Sequence, residues 1–127
     1  GDSRAYLIDA QGKWQQITQD HSILSELLSD FPDKKEEDFA TIYGGVSSCL
    51  VADYSEFQDK IFYQEIEIQK GESLLLCSDG LTDGLSAEVR EKIWKQYDND
   101  KSRLTVYRKL IEKQRFHDDL SVIICAF

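Results

Sequence analysis

Proline occurs once, histidine twice and cysteine three times in the 127 residues. With a single proline, no Ser/Gly/Pro linker, no internal repeat and no low-complexity tract, the chain (residues 1–127) is expected to be one domain. No apolar run approaches the roughly 18 residues that a membrane span needs, and the longest, at 74–77 and 120–127, are strand-sized. Gly1, Asp2, Ser3 and Arg4 show no positive region leading into an apolar stretch, so no secretory signal is expected. Cys49, Cys77 and Cys125 are odd in number, have no close pairing and sit among apolar residues. They are expected to be buried free thiols in a reducing compartment, which predicts a cytoplasmic location. His21 and His117 stand alone, whereas a zinc site wants Cys or His in short-spaced pairs.

Positive charge is also scarce. Fifteen Lys and Arg face 24 Asp and Glu, for a net charge of −9. Such a balance repels a phosphate backbone and gives no footing on anionic lipid, so neither nucleic acid nor a membrane surface is an expected partner. Cations and basic partners are favoured. At 41% apolar and 11% aromatic the chain can bury a core, so a folded chain is expected rather than a disordered one.

Two extended stretches, 5–8 and 14–18, flank the polar turn Asp9-Ala10-Gln11-Gly12 and predict a hairpin. Ile23, Leu24, Leu27, Leu28 and Phe31 form a stripe of helical period closed by Pro32. The charge run at 33–38 is expected to be a solvated loop or the start of a short helix. Gly44-Gly45 lacks the flanking glycines and helix of a dinucleotide fingerprint. Residues 61–68 alternate apolar and acidic positions as a half-wet strand does, and 73–77 is apolar on both faces, as is 120–127. Both of these last segments are expected to be interior strands. Ser86 predicts the cap of a helix carrying Val89, Ile93, Trp94 and Tyr97. Ser102 predicts the cap of another, with Leu104, Tyr107, Leu110 and Ile111 inward. The order lacks βαβ alternation and predicts an α+β fold with antiparallel sheet covered by helices.

Carboxylates stand at the mouths of the two most apolar strands. Asp79 follows the strand at 73–77 directly, and Asp118-Asp119 precedes the strand at 120–127. Were these strands antiparallel neighbours, the end of one would lie beside the start of the other, bringing Asp79 and Asp118 to one rim. Crowded carboxylates repel and call for a cation, and an all-oxygen donor set suits Mg²⁺ or Mn²⁺ better than zinc or copper. Spacing alone leaves a second reading open, in which Asp79-Gly80 is a turn and Asp118-Asp119 a solvated loop or cap.

Four blocks, Gly1-Asp2-Ser3-Arg4-Ala5-Tyr6-Leu7, Thr18-Gln19-Asp20-His21-Ser22, Leu75-Leu76-Cys77-Ser78-Asp79-Gly80-Leu81-Thr82-Asp83 and Asp118-Asp119-Leu120-Ser121-Val122-Ile123, resemble in order and spacing those of the PP2C (PPM) protein serine/threonine phosphatases. The resemblance is strongest to bacterial members and spans the chain end to end as the C-terminal portion of such a domain. It implies an α-β-β-α sandwich, two Mn²⁺ or Mg²⁺ ions at one rim, and hydrolysis of phosphoserine and phosphothreonine by a metal-bound hydroxide. By position it makes Asp79 and Asp118 ligands of one ion and Asp2 a contributor to a weaker third site. Gly80 and Asp119 are supporting positions, Asp20 and His21 structural ones, and no residue is assigned as general acid or base. A phosphorylated protein is the implied substrate, with a Ser/Thr kinase as counterpart.

Two departures qualify this expectation. Members of the family carry, upstream of the Gly-Asp-Ser-Arg block, a Glu, a metal-bridging Asp in an Asp-Gly-x-Gly-Gly block and often a phosphate-binding Arg, and the 127 residues contain none of that half. Ser47-Ser48-Cys49-Leu50-Val51 also occupies the place of a segment that usually ends in Leu-Gly. A non-catalytic pseudophosphatase or regulatory interaction module is therefore the alternative.

Overall fold

A computed structural model describes residues 1–39, 45–47 and 62–127. Strands β1 (Arg4–Ile8) and β2 (Trp14–Gln16) form the expected antiparallel hairpin. Asp9 holds its turn, with Oδ1 accepting from the amides of Gln11 (2.9 Å) and Lys13 (2.8 Å). Gly12 closes it at φ +75°, a conformation that only glycine adopts without strain.

Strand β3 (Ser73–Cys77) pairs antiparallel with β1 on one side and with β4 (Val122–Ala126) on the other, giving the order β2-β1-β3-β4. The expected neighbours are thus adjacent, with Cys77 opposite Val122 and also opposite Arg4. One end of the sheet therefore collects the start of β1, the end of β3 and the start of β4.

By contacts the chain divides into two compact units, Gly1–Asp2 with Gln19–Tyr63, and Ser3–Thr18 with Gln64–Phe127. The second holds the sheet and helices α2 (Asp79–Gly84), α3 (Ala87–Gln96) and α4 (Asp100–Ile111). Its core joins Tyr6, Ile8, Leu75 and Cys77 from one sheet face to Leu81, Leu85, Ile93, Trp94, Tyr107 and Ile111 from the helices. Arg90, on α3, is buried in this core with its guanidinium over the rings of Tyr6 (5.2 Å) and Trp14 (5.4 Å). In the first unit, α1 (Ile23–Asp30) starts at Ser22, whose side chain accepts from the Ser25 amide at 3.0 Å. A 3-10 turn follows at Glu36–Phe39.

Several expectations are corrected. Strand β4 is an edge strand of the described sheet, and the face opposite the core leaves Leu76 41% and Ile123 62% exposed. Cys77 is buried as expected, but Cys125 lies on that open face and is exposed; Cys49 lies outside the described residues. Residues 62–69 keep the alternation, with Ile66 and Ile68 half-buried, yet form no strand, because the pattern supplies faces without supplying a partner ladder. Helix α4 is capped by Asn99, whose side chain accepts from the Ser102 amide at 2.9 Å, so it begins two residues ahead of Ser102. Tyr107 and Ile111 are buried in it, while Leu110, like Val89 of α3, is exposed.

Candidate functional site

The rim at the ends of β3 and β4 is built by three consecutive residues. Ser78 precedes α2, and its hydroxyl makes no capping bond to that helix. Instead it donates to the Asp119 carbonyl at 2.9 Å and accepts from the Ser121 amide at 3.0 Å, while the Ser78 amide donates to the Ser121 carbonyl at 3.0 Å. This latch ties the segment before β4 to the segment after β3. Gly80 lets the two backbones touch, since a Cβ built on it would stand 2.5 Å from the Asp119 carbonyl oxygen and 3.2 Å from that of Asp118. No side chain fits there.

Asp79 is thereby the first residue of α2, half-buried, with the chain at Asp118-Asp119 passing beside its neighbour. Its Oδ1 accepts from the Gly80 amide at 2.9 Å, and the Asp118 Oδ1 accepts from the Asp119 amide at 2.7 Å. Asp118, Asp119 and His117 are exposed. Asp118 and His117 line a depression of about 200 Å³ with Asp119, and a second of about 500 Å³ with Asp83, Gly84, Gln114 and Phe116. Asp2 is half-buried and belongs to the first unit; two residues on, Arg4 opens β1. Asp20 and His21 line a cavity of about 580 Å³ in the first unit, with Glu26, Asp30 and Phe62.

Oxygen donors on two segments held backbone to backbone fit a hard dication in kind. They do not complete a shell, for no group of three His, Cys, Asp or Glu able to hold a metal occurs among the described residues. Behind the rim, burial raises the Cys77 thiol above its ordinary pKa against the opposing pull of Arg90 and Arg4, which favours the neutral thiol. The sequence reasoning missed Ser78, whose hydroxyl sets the rim. Its position directly before Asp79-Gly80 was the available signal.

No family model matches the chain. It is 29% identical over 124 residues to the serine/threonine phosphatase stp of Listeria innocua, an alignment covering 98% of this chain and 48% of the relative. The solved structure of the serine/threonine phosphatase Stp1 from Staphylococcus aureus superimposes with a TM-score of 0.71 at 23% identity, over 100% of this chain and 49% of its own. The catalytic domain of the Mycobacterium tuberculosis phosphatase PstP, crystallised with two manganese ions, gives 0.63 at 24% identity, over 98% of this chain and 49% of its own. The fold is therefore that of the metal-dependent PP2C-type serine/threonine phosphatases. The chain is a homologue of their bacterial members, and it spans about half the length of the relatives it matches.

Proposed function

We propose that this chain is the C-terminal portion of a PP2C-type phosphatase domain that removes phosphate from phosphoserine and phosphothreonine in proteins. The observation that supports it is the junction of the Ser-Asp-Gly block at 78–80 with Asp118-Asp119 at one rim, in a chain homologous to enzymes named serine/threonine phosphatases. Asp79 and Asp118 would share one Mn²⁺ or Mg²⁺ ion, and Asp2 would serve a weaker third site. Bound there, hard divalent ions polarise phosphoryl oxygens and acidify water. The chain's own part is to hold the carboxylates at fixed spacing. Ser78 and Gly80 do so by locking the two backbones, and each Asp turns one oxygen onto the following amide, orienting the carboxylate plane.

The remaining ligands would come from the half of the relatives' length that this chain does not span. That half would also cover the apolar face presented by Leu76 and Ile123. A phosphorylated protein is the substrate on this reading, with a Ser/Thr kinase installing the phosphate, in the cytoplasm. No helix among the described residues is long and apolar enough to cross a membrane. The second reading is a non-catalytic regulatory module that keeps the latched rim without a metal at it.

Calorimetric titration of the 127-residue chain with Mn²⁺ separates them. Asp118→Asn and Asp79→Asn should each weaken binding about tenfold or more, while His117→Ala changes it little. Binding untouched by both Asp substitutions would refute the site. The isolated chain should hydrolyse p-nitrophenyl phosphate negligibly, and robust Mn²⁺-dependent turnover by it would refute the incompleteness of its site.

A further inference from the structure

Two Asp-Gly steps, Asp79-Gly80 and Asp83-Gly84, open and close the six residues of α2. In such a step the backbone nitrogen of the glycine can attack the carboxyl carbon of the aspartate before it, because no Cβ on the glycine shields the approach. The fold holds the two nitrogens differently. The first four amides of a helix have no carbonyl behind them, so the Gly80 amide stands outside the ladder, and it donates at 2.9 Å to Oδ1 of Asp79 itself. Nitrogen and carboxyl carbon are thus held close, the arrangement that favours ring closure. The Gly84 amide, sixth in the helix, lies within the ladder and must break a bond before it can react. Ser78 gives its hydroxyl to the strand junction and no capping bond to α2, so the first turn lacks that restraint. Asp118 also turns Oδ1 onto the following amide, at 2.7 Å, but that amide belongs to Asp119, whose side chain shields it.

We infer that Asp79-Gly80 is a modification site, at which the folded chain isomerises spontaneously from aspartate to isoaspartate. The Gly80 nitrogen loses its proton and bonds to Cγ of Asp79, a carboxyl oxygen leaves as water, and a five-membered imide results. Water then adds at either imide carbonyl. Opening at Cγ restores Asp79. Opening at the former backbone carbonyl leaves the chain running through Cβ and Cγ, with that carbonyl now the free carboxylate. One water leaves and one returns, so no oxidant or partner is needed. The product carries an extra methylene in the backbone directly before Gly80, where a Cβ would already stand 2.5 Å from the Asp119 carbonyl oxygen, and the junction of the two strands is lost. The same contact keeps the labile step in place, since a bulkier residue at position 80 would slow ring closure but does not fit.

The test incubates the folded 127-residue chain, and a synthetic peptide of residues 76–88, at physiological temperature and neutral pH in water enriched in heavy oxygen. Each ring opening installs one heavy oxygen at the reacting step, whichever product forms, and mass spectrometry with fragmentation locates it. In the folded chain label should enter Asp79-Gly80 about three- to tenfold faster than Asp83-Gly84, the factor for first breaking one helical hydrogen bond, whereas in the peptide, too short to hold the helix, the two rates should agree within about twofold. The isoaspartate product should show displaced amide shifts at Asp119 and Ser121. Equal rates at the two steps of the folded chain, faster entry at Asp83-Gly84, or label in the peptide with none at Asp79-Gly80 of the chain overturns the site. Label at Asp79-Gly80 with no isoaspartate among the products overturns it as well.

Discussion

Replacing Gly80 by Ala is the sharpest probe of the rim, because two opposing effects of known size meet there. Glycine to alanine within a helix is favourable by about 1 kcal/mol when nothing touches the new methyl group. Here the methyl carbon would meet the Asp119 carbonyl oxygen at 2.5 Å and its carbon at 3.0 Å, both backbone atoms in a segment latched by Ser78. Overpacking of this kind costs roughly 1–3 kcal/mol, and no side chain can rotate away to relieve it. Overpacking against unyielding backbone should take the upper part of that range, giving a net loss of up to about 2 kcal/mol and a fall in Tm of up to roughly 8 °C. Gly84→Ala is the control. Its nearest contact is Cγ1 of the buried Ile111 at 2.9 Å, a side-chain atom rather than backbone, so its cost should be no larger and should leave the amide shifts of Asp118 and Asp119 in place. The assay is thermal unfolding by circular dichroism, with amide shifts recorded at Asp118 and Asp119. A Gly80→Ala protein as stable as the parent, with those shifts unmoved, would refute the contact on which the proposed metal site depends.

Tyr107 is fully buried and donates its hydroxyl to the Arg90 carbonyl at 2.9 Å, so Tyr107→Phe should cost about 0.5–1.5 kcal/mol at neutral pH. Burial raises its pKa above the ordinary 10.0, so the folded state holds a proton that the unfolded state releases; its contribution is complete below about pH 10 and is lost as pH rises further. Urea unfolding from pH 7 to 11 should show the gap between parent and Tyr107→Phe narrowing above pH 10, and a constant gap would contradict this. On the sheet, Leu75→Ala should cost about 2–5 kcal/mol, because the side chain is fully buried, whereas Ile123→Ala on the open face should cost under about 1 kcal/mol. Equal losses in denaturant melts would mean that the open face is packed in solution.

How far the fold was legible follows from which signals are local. The hairpin announces itself through Asp9 and Gly12, and α3 through Ser86, whose side chain accepts from the Val89 amide. Helix α2 does not, since six residues that include Gly80 and Gly84 have neither the length to show a period nor the propensity to suggest one. Its formation is a tertiary effect, driven by burial of Leu81 beneath the sheet. At α4 two capping residues compete three positions apart, and Asn99 prevails, with Asp100 meeting Arg103 at 2.7 Å in the first turn. The alternation at 61–68 shows the opposite limitation, because hydrophobic period specifies which side chains would share a face and is silent on whether a neighbouring strand exists.

The rim was legible for a reason that does not depend on resemblance. Two strongly apolar strands can satisfy their backbones as antiparallel neighbours, and that pairing forces the residues after one to meet those before the other. Asp79 and Asp118 are flanking residues of this kind, and the observed register, Cys77 opposite Val122, leaves them no other end of the sheet. What the pairing argument does not reach is the closeness of approach. That is set by the missing side chain at Gly80 and by a hydroxyl at Ser78 that donates to one residue and accepts from another across about 40 positions of sequence. A serine before a helix predicts a cap, and here the cap is forgone. Its one side-chain oxygen goes to the strand junction, which places the rigidity of the rim in β3 and β4 rather than in the short helix between them.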